Sequence, residues 1–175
     1  MGPIIRVLLY GIRFREELFI HNLGVLMRYC FRTVTWRFKE SIELDLPDKR
    51  SITIRSPSDI FEHYQSLFRN QVRERFVVFW LNSANKVVGY EVISEGILNS
   101  SLTHPREVFR GAIVATAASV ILAHNHPSGN PEPSQEDTVI TKQIVESGKI
   151  IGVPVQDHII FAGDTYTSLA ERGSM

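Results

Sequence analysis

The sequence predicts an α/β domain from about residue 41 onward, preceded by an N-terminal arm. Three observations support this prediction. The chain has 175 residues, which suits one domain. Hydrophobic residues make up 43% and charged residues 22%, as in ordinary globular domains. Apolar runs typical of buried strands alternate with segments that carry helix start signals, and this alternation is typical of α/β domains.

Charge and cysteine content exclude several classes of protein. Lys+Arg and Asp+Glu number 19 each, so the net charge is zero. Proteins that mainly neutralise phosphates are usually strongly basic, and this chain is not. The single cysteine, Cys30, excludes an intrachain disulfide framework and a zinc site built only from cysteines. We therefore expect an intracellular, cytoplasmic protein.

The predicted arm, residues 1–40, carries seven Lys/Arg against three Asp/Glu and is rich in apolar residues. Arginines interrupt its apolar runs, so none approaches the roughly 20 residues that a membrane span needs. We expect no membrane span. A membrane-surface helix would also combine basic and apolar residues. We favour a poorly specified N-terminal arm or a docking segment over such a helix, and we leave the role of these residues open.

The elements of the domain follow from local signals. Residues 51–55 could form a short strand, and Ser56 begins a helix that runs to about Phe68. The apolar run Phe76–Leu81 is typical of a buried strand, and Lys86–Ser94 is the returning strand of a hairpin. The remaining predicted elements are a helix from His104–Pro105 to about Ala117, a strand at Ser119–Ala123, a helix at Ser134–Ser147 closed by Gly148 as its C-cap, a strand at Val155–Phe161, and a short element at Tyr166–Glu171.

The residues that carry chemistry are concentrated between positions 123 and 137. His124 and His126 are two apart at the end of an apolar strand, so both imidazoles lie on one face. Ser134 begins the next helix and Asp137 lies in its first turn. Two histidines and one carboxylate can form a three-ligand site with an open fourth position, which is the arrangement of catalytic zinc.

Each half of this pattern is weak by itself. A His-x-His pair in a loop is usually only a polar surface, and Ser134-x2-Asp137 is also an ordinary helix-capping pair. The composite spacing, His-x-His-x7-Ser-x2-Asp, is far more specific. It favours a metal site at His124, His126 and Asp137.

The composite pattern resembles the signature of the JAMM (MPN or JAB) zinc hydrolases. Four segments resemble the RadC family of JAMM-type proteins: HPREVF at 104–109, ILAHNHPSG at 121–129, EPSQED at 132–137 and DHIIF at 157–161. The resemblance assigns residues 56–173 to a RadC-like JAMM/MPN domain and does not extend to residues 1–40. It implies a cytidine-deaminase-like mixed sheet flanked by helices, with one zinc ion per chain held by His124, His126 and Asp137.

The resemblance also implies a glutamate upstream of His-x-His as general base. Glu74 fits best because it opens the buried strand at Phe76–Leu81. Glu91 and Glu95 on the next strand are alternatives, since any carboxylate within hydrogen-bond reach of a zinc-bound water could serve. We interpret Glu74 as the base and the Ser134 hydroxyl as a donor to the oxyanion.

JAMM enzymes cleave peptide or isopeptide amides. The resemblance therefore implies a zinc-dependent metallopeptidase or isopeptidase-like hydrolase that acts on a peptide or protein. Zinc would activate water near neutral pH, and Glu74 would pass the water's proton to the leaving amine.

Two other functions stay open. One is a DNA-repair-associated factor that binds DNA or protein partners with little hydrolytic activity. RadC-like proteins commonly carry an N-terminal helix-hairpin-helix region, but the residues before Ser56 lack its glycine-rich pattern. The other is a catalytically silent scaffold. Base deamination is set aside because the Pro-Cys-x-x-Cys zinc ligands are absent. The oligomeric state is open.

One further histidine has two interpretations. His158, beside Asp157, could orient a metal ligand from outside. It could also be a satisfied histidine at the start of a strand, and we expect the second.

Overall fold

The computed structural model describes residues 52–96 and 103–175. The predicted arm at 1–40 lies outside these residues, as does Ser51 at the start of the first predicted strand. Among the described residues, no helix combines the length and the apolar character needed to cross a bilayer.

Helices and strands alternate along most of the described chain. In order they are α1 (Pro57–Tyr64), a 3-10 turn (Gln65–Leu67), β1 (Glu74–Leu81), β2 (Val87–Gly96), α2 (Pro105–Val114), β3 (Ser119–Asn125), α3 (Gln135–Ile151), β4 (Val155–Ala162) and β5 (Thr165–Ser168).

The five strands form one mixed sheet in the order β2-β1-β3-β4-β5. Strands β3 and β4 are parallel, and every other neighbouring pair is antiparallel. Parallel strands need a crossover connection, and α3 supplies it between β3 and β4. The prediction of an α/β domain with a mixed sheet flanked by helices is confirmed.

The sheet is covered by helices on both faces. On one face, alternate residues of β1 and β3 pack against α2 and α3 around Phe76, Phe109 and Ile144, all of which are buried. On the other face lies α1, whose Tyr64 ring packs on Phe79 with centroids 4.7 Å apart. Both faces of β1 are therefore buried, one under α2 and α3 and the other under α1. This burial explains the continuous apolar sequence of the strand.

One predicted strand and one predicted cap were wrong. Within residues 52–55 there is only an isolated bridge between Thr53 and Lys86. Helix α3 runs past Gly148 and ends at Gly152, whose φ of 79° is the left-handed conformation that glycine adopts easily. A Cβ on Gly148 would lie 2.6 Å from the Val153 carbonyl oxygen, so this glycine allows α3 to lie close to the segment that follows the helix.

The other bounds differ by a few residues. Helix α1 gives way to the 3-10 turn after Tyr64, and α2 ends at Val114. The last short element is the strand Thr165–Ser168, which pairs with β4.

Candidate metal centre

Strand β3 presents the two histidines at its carboxyl end. His124 is fully buried and lies opposite Phe76 of β1. His126 is just past the end of the strand, but its backbone N–H still donates to the carbonyl of Phe161 at 2.8 Å. Both imidazoles therefore point to the same face of a well-anchored strand.

The third residue, Asp137, is held by the N-terminus of α3. Its backbone N–H donates to Ser134 Oγ at 3.0 Å, which caps the helix. Its Oδ2 accepts two hydrogen bonds from Ser134, from the backbone N–H at 2.7 Å and from the hydroxyl at 2.6 Å. The capping pair that the sequence indicated therefore also orients the carboxylate.

His124, His126 and Asp137 converge on one point. Nε2 of His124 lies 3.0 Å from Nε2 of His126 and 3.2 Å from Oδ1 of Asp137. Nε2 of His126 lies 3.4 Å from Oδ2 of Asp137. Ligands bonded to zinc at 2.0–2.2 Å in a tetrahedron are separated by about 3.3–3.6 Å. The observed separations are close to this range, and the three residues could hold a metal ion.

Charge at this point favours a cation. Burial alone would raise the pKa of Asp137, but hydrogen bonds from His124, His126 and Ser134 hold it well below its usual range. The hydrogen bond to Asp137 raises the pKa of His126, burial opposes this, and the nearby charge of Glu74 adds to it. Asp137 is therefore a carboxylate throughout the physiological range, and the group can neutralise a bound cation.

The outer ring nitrogens also have partners. His126 Nδ1 lies 2.7 Å from the Asn130 carbonyl oxygen. His124 Nδ1 lies 2.8 Å from Nε2 of His158, and His158 Nδ1 lies 2.5 Å from Oγ1 of Thr141. Burial, with a further contribution from His124, lowers the pKa of His158 well below its usual value, so this histidine is neutral.

The sequence interpretation of His158 was incomplete and it missed Thr141. His158 is a satisfied histidine, but one of its partners is His124 itself. This contact depends on the parallel register of β3 and β4, which local sequence does not determine. A signal for Thr141 did exist, because Asp137 and Thr141 are four apart on α3 and so share a face.

The register of the β1–β3 pair places Glu74 next to His126. Phe76 is opposite His124 in the antiparallel β1–β3 pair, so Glu74, two residues earlier, comes alongside His126, two residues later. Asn125 fixes this end of β1: its amide accepts from the Arg75 N–H at 2.9 Å and donates to the Arg73 carbonyl at 3.1 Å. Both neighbours of Glu74 are thus tied to the residue between the two histidines.

The structure places Glu91 and Glu95 away from the histidines. Glu91 is opposite Val78, about 13 Å along the strand from Glu74, and lies 2.6 Å from Arg110. Glu95 is opposite Arg75 and pairs with it at 3.3 Å. Because side chains alternate along a strand, the Arg75–Glu95 pair lies on the other face from Glu74.

A cavity of about 420 Å³ opens beside His126. Its walls come from the segment after α1, the loop after His126, and the β4–β5 turn. Arg69 and Asp164 form an exposed ion pair of 3.1 Å among the lining residues. The volume lies within the range of small-molecule pockets.

The comparisons with known proteins agree on one family. The model of the family described as "RadC-like JAB domain" matches residues 54–174. UPF0758 proteins of Salinibacter ruber and Desulforamulus reducens are each 48% identical, over 132 and 128 residues, or 75% and 73% of this chain. These matches cover 57% and 56% of the two relatives, so the chain spans a little over half their length.

A third relative matches more of the chain. A UPF0758 protein of Bacillus cereus is 41% identical over 159 residues, which are 90% of this chain and 70% of that protein. A match of this length reaches into the first 40 residues, where sequence alone suggested no resemblance.

Proposed function

This chain belongs to the family of RadC-like JAB domains, and from that premise we propose that it is a zinc-dependent hydrolase of amide bonds, a metallopeptidase or isopeptidase. The observation that carries the proposal is the convergence of His124, His126 and Asp137, with ligand atoms 3.0–3.4 Å apart. Two imidazoles and one carboxylate leave a fourth position open, as catalytic zinc requires.

One zinc ion per chain would be held by these three residues. When bound, zinc would supply Lewis-acid chemistry and lower the pKa of a coordinated water from 15.7 to roughly 7. The donor set suits the ion, because imidazole and carboxylate are ordinary zinc ligands and Asp137 carries a negative charge.

Glu74 is the proposed general base. The β1–β3 register brings it alongside His126, and Asn125 holds both of its neighbours. There its carboxylate would take a proton from the attacking water and deliver it to the leaving amine. Proton transfer by a positioned carboxylate contributes about 10²–10⁴-fold to a rate.

Ser134 has two proposed tasks. Its hydroxyl donates its single proton to Asp137 Oδ2, with an oxygen–oxygen distance of 2.6 Å, so the hydroxyl must turn away from Asp137 to donate to an oxyanion. The Ser134 backbone N–H would keep the carboxylate in place meanwhile, because it donates to the same oxygen at 2.7 Å. Loss of an oxyanion donor typically lowers kcat by about 10²–10³.

The proposed substrate is a peptide or protein. The cavity beside His126 is lined largely by polar and charged side chains, which suits the backbone amides of an extended peptide. A cytoplasmic location remains a prediction from cysteine usage.

Metal content followed by hydrolysis tests the proposal. Elemental analysis of the purified protein should give about one zinc per chain, and His126→Ala and Asp137→Ala should each lose it. The zinc-loaded protein should then hydrolyse some members of a panel of peptide and lysine-isopeptide substrates. If the protein took up no zinc when zinc was supplied, the proposed zinc-dependent hydrolase function would be contradicted.

The DNA-associated alternative predicts different behaviour. Such a protein would bind zinc without hydrolysing any member of the panel. It would also bind double-stranded DNA with an affinity that falls steeply as salt rises.

A further inference from the structure

The outer nitrogens of the two histidines have different kinds of partner. His126 Nδ1 faces the Asn130 carbonyl oxygen at 2.7 Å, and a carbonyl is a common outer partner of a metal-binding histidine. His124 Nδ1 faces another imidazole, Nε2 of His158, at 2.8 Å. An imidazole nitrogen can present either a proton or a lone pair, so this contact alone does not determine the tautomer of His124.

Thr141 determines the direction of the hydrogen bonds. Its Oγ1 lies 2.5 Å from the Asp137 carbonyl oxygen and 2.5 Å from Nδ1 of His158. The carbonyl can only accept, so the single hydroxyl proton of Thr141 is donated to it. The hydroxyl can then only accept from His158, and His158 Nδ1 must carry a proton.

The direction of these hydrogen bonds also determines which ring nitrogen of His124 donates to His158. His158 is fully buried and neither of its ring nitrogens contacts a carboxylate, so a second proton on the ring would be costly. Its Nε2 therefore has a lone pair and accepts the Nδ1–H of His124. When His124 is neutral, its one proton is therefore on Nδ1 and its Nε2 has the lone pair. A second proton on Nε2, donated to Asp137 Oδ1 at 3.2 Å, would have to leave before a metal binds.

We propose that Thr141 and His158 form a buried relay that sets the tautomer of His124 and so presents its Nε2 lone pair to the metal. The inference rests on the metal binding proposed above, and both residues are positioning residues. His124, His158 and Thr141 are all 0% exposed, so solvent cannot supply an alternative partner. The relay starts from the backbone of Asp137, which links the orientation of one ligand to the tautomer of another.

The test uses the metal-free protein and two variants at Thr141. Thr141→Val keeps the shape but removes the hydroxyl, whereas Thr141→Ser keeps the hydroxyl. Long-range ¹H–¹⁵N correlation spectra, recorded above the pKa of the histidines, identify which ring nitrogen is protonated. In the wild-type protein and in Thr141→Ser the proton of His124 should be on Nδ1. In Thr141→Val the tautomers of His124 and His158 should become mixed.

Zinc affinity gives the second measurement. In competition with a chromophoric chelator, Thr141→Val should bind zinc about 10–100-fold more weakly than wild type, and Thr141→Ser should stay close to wild type. Loss of packing alone would weaken binding without changing the tautomer of His124.

The relay would be overturned by a wild-type spectrum with the His124 proton on Nε2, or by unchanged tautomers in Thr141→Val. The wild-type spectrum decides the first point even if the valine variant fails to fold. The spectra need neither zinc nor substrate, so the relay can hold where hydrolysis is absent. Equally, zinc-dependent hydrolysis with the wrong tautomer would leave the proposed function standing.

Discussion

Ser134 donates twice to one oxygen of Asp137, from its backbone N–H at 2.7 Å and its hydroxyl at 2.6 Å, while its own hydroxyl oxygen caps helix α3. A residue that begins the helix thus also aims a carboxylate at the two histidines. Ser134 therefore affects both the stability of α3 and the geometry of the candidate metal centre.

Replacing Ser134 should therefore have two effects. Ser134→Ala should lower the free energy of unfolding by about 1 kcal/mol through loss of the cap, and should weaken zinc binding about 10–100-fold. Urea unfolding and chelator competition measure the two effects.

Helix α1 offers the matched control. There Asp59 Oδ2 accepts from the Ser56 N–H at 2.9 Å and from the Ser56 hydroxyl at 3.1 Å, with no histidine pair beside it. Ser56→Ala should lose stability but keep zinc affinity. Equal zinc affinities in the two variants would show that Ser134 does not orient Asp137.

Glu74→Gln should separate binding from chemistry. Glutamine keeps the size of the side chain but cannot accept a proton as a carboxylate does, so hydrolysis of the best panel substrate should fall about 10²–10⁴-fold. Zinc content should stay at the wild-type level, because His124, His126 and Asp137 are untouched.

Glu95→Gln is the control on the neighbouring strand. Its side chain is 51% exposed and pairs with Arg75, so we expect wild-type hydrolysis. Full activity in Glu74→Gln would remove Glu74 from the mechanism.

In the metal-free protein, the stabilisation from protonated His126 should be lost as pH rises from about 6 to about 8. The lowered pKa of His158 acts in the opposite direction in wild type and in a His126 variant alike, so the test compares the two proteins. The hydrogen bond to Asp137 raises the pKa of His126 above its ordinary value of about 6.5. The contribution of protonated His126 is fully present below that ordinary value and is lost as pH rises through the raised pKa. The lowered pKa of Asp137 makes its contribution constant across this range.

Two comparisons check this pH dependence. Urea midpoints of chelator-treated His126→Gln should fall less between the two pH values than those of wild type. Zinc should reverse the trend in wild type, because its ligands must be deprotonated and affinity therefore rises with pH. If the urea midpoints of wild type and His126→Gln changed equally with pH, His126 would not be the source of the pH dependence.

Gly148→Ala should destabilise the protein, although alanine favours helices over glycine by about 1 kcal/mol. The new Cβ would lie 2.6 Å from the Val153 carbonyl oxygen and 3.0 Å from the Phe109 ring. We expect a loss of about 1–3 kcal/mol in urea unfolding, as in other overpacked cores. Lys142→Ala, at an exposed position of the same helix, should change stability little. Equal stability in both variants would contradict this packing.

Local patterns predicted the parts of the molecule that local physics controls. Alternation along a strand placed His124 and His126 on one face, and helix capping placed Asp137 next to Ser134. The apolar run of β1 indicated a strand buried on both faces, and the mixed sheet was expected from the family resemblance.

The errors and omissions arose where distant parts of the chain meet. Gly148 looked like a helix end because its packing against Val153 and Phe109 cannot be inferred from neighbouring residues. His158 looked independent of the candidate metal ligands until the parallel register placed it against His124. Sequence alone preferred Glu74 and left Glu91 and Glu95 as alternatives, because only the pairing of β1 with β3 and with β2 shows which glutamate lies beside His126.

The spacing of these residues along the chain has a consequence for folding. His124, His126 and Asp137 lie within 14 consecutive residues, whereas Glu74 precedes His124 by 50 residues and His158 follows it by 34. Closing a short loop costs little entropy, so an unfolded chain could gather the three ligands around an ion. Glu74 would join them only after β1 had paired with β3. On the proposed function, the three metal-binding residues would therefore come together before the general base does.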